Sequence, residues 1–392
     1  MTNYKRMLGK MRELGMDYKW AISFIKEFEE DEIQFPDVPA DQKKWAMERG
    51  FFPGRVELYS LTEDNYDWYL PDYHYAMMHP FNNHFLKWLD KTTLKYVLNS
   101  GGCEITMPEY YIYIENNHRY TYLMDFPEDL KKDENVLINL LRKKGTLALK
   151  PNSGTAGGKG FIKLDYNEKG GKILVNNAVA SDSFLQELKT ELGNYVVTEY
   201  VHQHHELNEI WPESECTLRV TMCRNSGEKY YSQSEWECVM SYARFGTSLG
   251  DGTSNLSSGG IGVSIDYNTG RFGDYGVRYK KCAVDGNCVV TEHPDTGCAF
   301  YIKGVPHWET VKSLINRICL HVDSLDYLGI DIIVTEDGMK LCEINSLPSM
   351  GYEQLICTPP LTRSEIKQFY VDKGLNNING NAFYEAYMEC QE

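Results

Sequence analysis

A surplus of positive charge is the first thing this sequence lacks. Its 56 Asp and Glu outnumber its 40 Lys and Arg, for a formal net charge of −16. That balance argues against general nucleic-acid binding, which needs an extended basic face. Any anionic ligand must be held by local lysines and backbone dipoles. Also missing is any apolar run of about 18 residues, so no membrane-spanning helix is expected. The opening Met1-Thr-Asn-Tyr-Lys-Arg6 leads into a charged helix without a signal-like apolar core. The 11 cysteines are odd in number and never form Cys-x-x-Cys. Scattered thiols in a chain this long fit a reducing cytoplasm better than a disulfide framework. There is no internal repeat, no low-complexity linker, and no Ser-His-Asp or Cys-His arrangement to support nucleophilic catalysis.

What is present is ordinary globular material: 392 residues, 42% hydrophobic and 24% charged. Such a length predicts two or three subdomains. The informative stretch runs from Leu147 to Leu164 and reads strand, glycine-rich loop, strand. Gly154, Gly157, Gly158 and Gly160 permit positive φ and close backbone approach, so successive N–H groups can converge on an anion. Lys150 at the mouth and Lys159 within the loop add charge suited to a polyphosphate. No Gly-Lys-Ser/Thr opens a helix afterwards, which excludes a Walker A loop, and the following strand excludes a Rossmann fingerprint.

Residues 4 to about 49 predict helices, with Tyr18, Trp20, Ala21, Phe24, Ile25 and Phe28 on an apolar face. The aromatic stretch 51–85, interrupted by Pro53, Pro71 and Pro80, reads as irregular, with its histidines His74 and His79 structural. Asp90 is a natural N-cap for a helix over 91–98. Strands follow at 110–114, 195–201, 217–223, 236–244 and 261–266, and a helix at 309–325. The segment His202-Gln-His-His-Glu206 lacks partners at ligand spacing and reads as a polar linker rather than a metal site. The tail from Leu361 predicts one or two closing helices.

A second informative element lies at 328–345, a hairpin around an Asp-Gly turn. Asp331 starts one strand, and Glu343 and Asn345, two apart and therefore on one face, end its partner. Two carboxylates and a carboxamide converging this way suit hard divalent cations that bridge a nucleotide's phosphates.

In order along the chain stand Asp90-Lys-x-x-x-Lys95, Leu149-Lys-Pro-x-Ser-Gly-x-x-Gly-Gly-Lys-Gly160, Thr198-Glu-Tyr-Val201, Gly329-Ile-Asp331 and Glu343-Ile-Asn345. This set resembles the ATP-grasp superfamily over roughly two thirds of the chain. Cys216-Thr-Leu-Arg-Val220, Ser257-Ser-Gly-Gly-Ile261, His293-Pro-Asp-Thr-Gly297 and Pro306-His-Trp-Glu309 look like its sugar-transfer-associated subgroup, found among genes for surface polysaccharides. The resemblance implies an α+β fold, two subdomains clasping ATP. It gives a helical and aromatic region at 1–89 and an ATP-grasp domain at 90–360, followed by a helical tail at 361–392. Within the domain, a glycine-loop lid would span about 146–205 and a metal-binding core about 206–360.

The same resemblance assigns Lys95 and Lys150 to the nucleotide phosphates, with Ser153, Gly154, Gly157, Gly158 and Lys159 in the loop closing over them. Glu199, Tyr200 and Val201 would meet the adenine edge and Glu206 the ribose. Asp331, Glu343 and Asn345 would hold two magnesium ions, and Arg219 and Arg244 would face the transferred phosphoryl group. Gly329 departs from amino-acid ligases of the superfamily, which often carry arginine there, so Arg219 is the candidate to stabilise the oxyanion. The activity implied is ATP-dependent joining of a carboxylate to an amine through an acyl phosphate, amidating a sugar acid or attaching an amino acid to a surface-glycan precursor and releasing ADP and phosphate. A kinase acting on a hydroxyl is the alternative, and a nucleotide-binding protein without turnover the third reading. Small-molecule carboxylate and amine substrates are the partners expected, and the oligomeric state is left open.

Overall fold

Among the described residues, two antiparallel seven-stranded sheets organise the fold. The computed structural model describes residues 3–82, 90–100, 106–153, 160–180, 182–225, 236–284, 286–322, 325–346 and 348–391. The first sheet holds β1 (Tyr110–Ile114), β2 (Tyr120–Tyr122), β3 (Thr146–Pro151), β4 (Ile162–Asn167), β5 (Lys172–Val175), β6 (Ala178–Ala180) and β7 (Tyr195–Glu199), in the order β2-β1-β7-β3-β4-β5-β6. The second holds β8 (Thr217–Arg224), β9 (Trp236–Phe245), β10 (Ile261–Ile265), β11 (Phe272–Val277), β12 (Val289–Val290), β13 (Tyr327–Thr335) and β14 (Gly338–Asn345), in the order β12-β11-β10-β9-β8-β13-β14. The mixed α+β class expected from sequence is the one observed.

β13 lies between β8 and β14, and its apolar residues Leu328, Ile330, Ile332 and Val334 are fully buried. They pack with Val311, Ile315 and Ile318 of the helix Trp308–His321, whose apolar positions recur at helical spacing. Truncating one such side chain would cost about 2–5 kcal/mol. Thus Asp331 stands on a strand anchored from behind by apolar packing. The hairpin itself differs slightly from expectation. Thr335 pairs with Gly338, so Glu336 and Asp337 form the turn, while Gly338 opens β14 at φ 134°. Only glycine adopts that backbone without strain.

At the N-terminal end lie the helices Tyr4–Glu13, Tyr18–Gln34 and Ala40–Glu48, and of the expected apolar face Trp20, Ala21, Phe24, Ile25 and Phe28 are buried while Tyr18, at the helix start, is exposed. Phe24, Phe28, Phe52 and Tyr73 surround Phe383 of the closing helix Asn381–Glu389, joining the two ends of the chain. The stretch read as irregular contains the helices Arg55–Leu58 and Asp72–Met78. Asp72 explains much of this order, because its carboxylate accepts from the Phe52 N–H at 3.0 Å and pairs with the buried Arg55 at 2.9 Å. Among the described residues no helix is long and apolar enough to cross a membrane.

Candidate active site

On four adjacent strands, Tyr242, Arg219, Asp331 and Glu343 stand directly opposite one another. Opposed residues in a sheet share a face, so the topology gathers all four on one surface. The next level along the strands pairs Thr217 with Arg244. These side chains floor a cavity of about 400 Å³ that also takes in Lys91, Ala148 and Lys150 from one side. Glu199, Tyr200 and Val201, the segment 252–257, Tyr279 and Glu353 complete the parts of its wall used below.

Glu343 reaches this floor through a β-bulge between Asp331 and Ile332 in the pairing with β14. Regular pairing from the turn would set Cys342 opposite Asp331 and send Glu343 to the other face. The extra residue brings Glu343 opposite Asp331 instead. Asn345 then approaches both carboxylates, its amide nitrogen 3.4 Å from Asp331 Oδ2 and 3.3 Å from Glu343 Oε1.

Asp331 is 4% exposed. Arg219 grips it through two N–H groups, Nε to Oδ1 and Nη2 to Oδ2, and Arg244 Nη2 lies 3.2 Å from Oδ1. Burial pushes the Asp331 carboxyl up, but the two guanidiniums outweigh it and hold the group well below the ordinary carboxylate range. Reciprocally, burial pulls Arg219 down while Asp331 raises it on balance. Among the described residues Arg244 Nε is buried without a hydrogen-bond partner.

Two lysines face the same space. Lys91 Nζ lies 3.3 Å from Glu343 Oε2. Its position follows from Asp90, which caps the helix Lys91–Ser100 by accepting from Thr93 N–H at 3.0 Å. Asn152, just beyond β3, bonds Asp90 and the Thr92 N–H, tying that helix start to the strand end beside Lys150. Lys150 has no carboxylate within ion-pair distance among the described residues.

Residues 78–368 match the family model described as "Sugar-transfer associated ATP-grasp". The chain belongs to this family. Its fold is accordingly the ATP-grasp fold. Among solved structures, it is similar to N5-carboxyaminoimidazole ribonucleotide synthetase from Thermotoga maritima, at 14% identity and a TM-score of 0.35, over 72% of this chain and 49% of that one. D-alanyl-alanine synthetase A from Vibrio cholerae aligns at 13% identity and a TM-score of 0.39, over 74% and 66%. For D-alanine–D-alanine ligase from Bacillus anthracis the values are 15% and 0.33, over 77% and 67%. This chain therefore spans about half the length of the first of these proteins. Likenesses this distant carry no weight for activity. No curated protein matches the chain.

Of the residues expected to form an ATP-grasp site, Lys150, Glu199, Tyr200, Val201, Arg219, Arg244, Asp331, Glu343 and Asn345 all line the one cavity. Lys95 does not. Its ammonium turns to the Pro108 carbonyl at 2.9 Å and Asp125 at 3.1 Å, and Lys91, one helical turn earlier in the same motif, lines the cavity instead. Glu206 is exposed and also absent from the lining, whereas Glu215 is present. Ser153 sits at the end of β3, accepting from Asn194 Nδ2 at 3.3 Å. Gly154, Gly157, Gly158 and Lys159 lie outside the described residues. Glu199 is held by Lys340 at 2.5 Å and by the Glu109 N–H at 3.0 Å, a link between the two sheets. His204, His205 and Glu206 do cluster, with His205 Nδ1 3.0 Å from Glu336.

The subgroup motifs brace the cavity's far wall. Asp295 accepts from Ser248 N–H at 3.0 Å, and buried His293 bonds the Gly246 carbonyl at 2.8 Å. Thr217 and Ser254 hydroxyls meet at 2.8 Å, fixing the segment 252–257 over the floor. At Gly329 a Cβ would meet Pro348 Cβ at 3.0 Å. The loop after Asn345 occupies that space, and Arg219 stands opposite Asp331 on the neighbouring strand.

The oxygen donors of Asp331, Glu343 and Asn345 are hard ligands of the kind magnesium selects. They converge within hydrogen-bond reach, and rotating the Asn345 amide would present its oxygen. Asp331 would have to share its oxygens with the arginines, while Glu343 is less encumbered.

Proposed function

We propose that this protein is an ADP-forming ligase that joins a carboxylate to an amine, using ATP and magnesium. The observation that carries the reading is the cavity, where Lys150 and Lys91 from one side meet two arginines and three oxygen-donor side chains on the floor. Membership of an ATP-grasp family supports it independently.

In this reading a substrate carboxylate oxygen attacks the γ-phosphorus of ATP. The bond from that phosphorus to the β,γ-bridging oxygen breaks, and ADP departs. An amine then attacks the acyl carbon, its proton is lost, and inorganic phosphate leaves as the amide forms. Magnesium held by Asp331, Glu343 and Asn345 would supply charge neutralisation at the phosphates. Lys150 and Lys91 orient the phosphates, and Arg244 on the cavity floor faces the moving phosphoryl group. Arg219 keeps Asp331 ionised and in place. A sugar acid or a glycan-linked carboxylate is the substrate class we favour, from the family's sugar-transfer association.

Incubation with ATP, magnesium, pooled sugar acids and amino acids, and hydroxylamine tests this. ADP together with a hydroxamate supports the ligase. ADP with a stable phosphate ester would replace it by a kinase.

A further inference from the structure

Five carboxylates line the cavity, and four have charged or backbone partners. Asp331 holds two arginines, Glu343 holds Lys91, and Glu199 holds Lys340. Glu215 accepts from the Gln203 N–H at 2.6 Å and lies 3.5 Å from His202. Glu353 is different. It is 4% exposed, and among the described residues it meets only hydroxyl groups, Ser349 at 3.1 Å and Tyr242 at 3.5 Å. A buried carboxylate satisfied by neutral donors alone gains most from a cation brought to it.

Its surroundings suit an ammonium. Tyr279 lines the same wall and stacks on Tyr352, with ring centroids 4.0 Å apart and planes 16° apart, presenting an aromatic surface. The carrying loop is held firmly from the N-terminal region. Tyr59 donates to the Gly351 carbonyl at 2.7 Å and Tyr75 to the Pro348 carbonyl at 2.6 Å. Gln354 bonds both the N–H and the carbonyl of Leu70, at 2.8 and 3.0 Å. Tyr59, Leu70 and Tyr75 all precede residue 78, where the family match begins. The subsite is thus preorganised by a segment outside the matched region.

We propose that Glu353, between Ser349, Tyr242 and Tyr279, is the anchoring subsite for a cationic primary amine, which makes the second substrate an ammonium-bearing molecule rather than a neutral alcohol. This rests on the ligase reading for its role in turnover, but the binding itself does not. Calorimetric titration of the full chain with glucosamine, glycinamide and lysine, each against its N-acetylated counterpart (both nitrogens for lysine), reads the subsite without turnover. At least one amine should bind about tenfold or more tightly than its acetylated form, and Glu353→Gln should abolish that preference. Tyr59→Phe, which leaves the carboxylate in place and frees the loop, should weaken it about threefold. No preference for any amine, or a preference that survives in a folded Glu353→Gln, overturns the proposal. Failure of hydroxamate formation with amine binding intact would instead strike the ligase reading alone.

Discussion

Glu343 faces Asp331 across β13 and β14 only because β14 carries one more residue than its partner between the turn and this pair. Their shared face is what allows Asn345 and Lys91 to join them. If this arrangement holds magnesium at the phosphates, Glu343→Gln keeps the shape and removes the charge. ADP formation should fall about 100-fold or more, with the thermal midpoint little changed. Unaltered turnover would remove Glu343 from the site.

Asp331 and Arg219 form a buried pair, and breaking one side leaves the other charge exposed to a poor solvent. Asp331→Asn should therefore destabilise the chain by about 3 kcal/mol or more in chemical denaturation. The pH dependence follows in sign. The folded carboxyl lies below its unfolded value, so its contribution is complete above about pH 4. It is lost as pH falls further, and the Asn variant should lack that part of the acid transition.

His79 and His74 predict a separate, milder pH response. Burial lowers His79 to about 3 and His74 to about 4, and among the described residues neither His79 nitrogen nor His74 Nδ1 has a hydrogen-bond partner. Both are neutral when folded, while the unfolded chain takes up protons below about pH 6.5. Stability should fall as pH drops through 6.5, by about 2 kcal/mol per histidine at pH 5. Thermal melts from pH 7.5 to 5 check this, and His79→Phe, which retains an aromatic against Trp20, should flatten the curve.

Gly329 offers a test of the loop after Asn345. An alanine Cβ there would meet Pro348 Cβ at 3.0 Å and Asn345 Cβ at 3.3 Å. Gly329→Ala should cost about 1–3 kcal/mol and push the segment that carries Ser349 and leads into the helix Glu353–Ile356. Unchanged melting and unchanged turnover together would show that the loop yields freely.

Much of this was legible in the sequence. The Asp-Gly turn signal within 328–345 pointed to the hairpin, and Asp90 capped the helix as its residue type predicts. The bulge was not legible, since nothing in Leu341-Cys-Glu343 announces an extra residue and it shows only in the pairing register. Choosing Lys95 over Lys91 failed because two lysines four apart on one helix are equivalent by spacing. What separates them is the burial of Lys95 against Pro108 and Asp125. Glu353 carried no signal at all. Its importance comes from the N-terminal segment folding back almost 300 positions away in sequence, as the 292-residue separation of Tyr59 and Gly351 illustrates.

The most direct measurement of the central claim follows oxygen. Carboxylate substrates that yield hydroxamate would be labelled with ¹⁸O and turned over with ATP, magnesium and amine, and the released phosphate analysed by mass. The account predicts one ¹⁸O per inorganic phosphate, because the carboxylate oxygen that attacks the γ-phosphorus leaves with it. Phosphate free of label, formed alongside amide, would contradict the acyl-phosphate route.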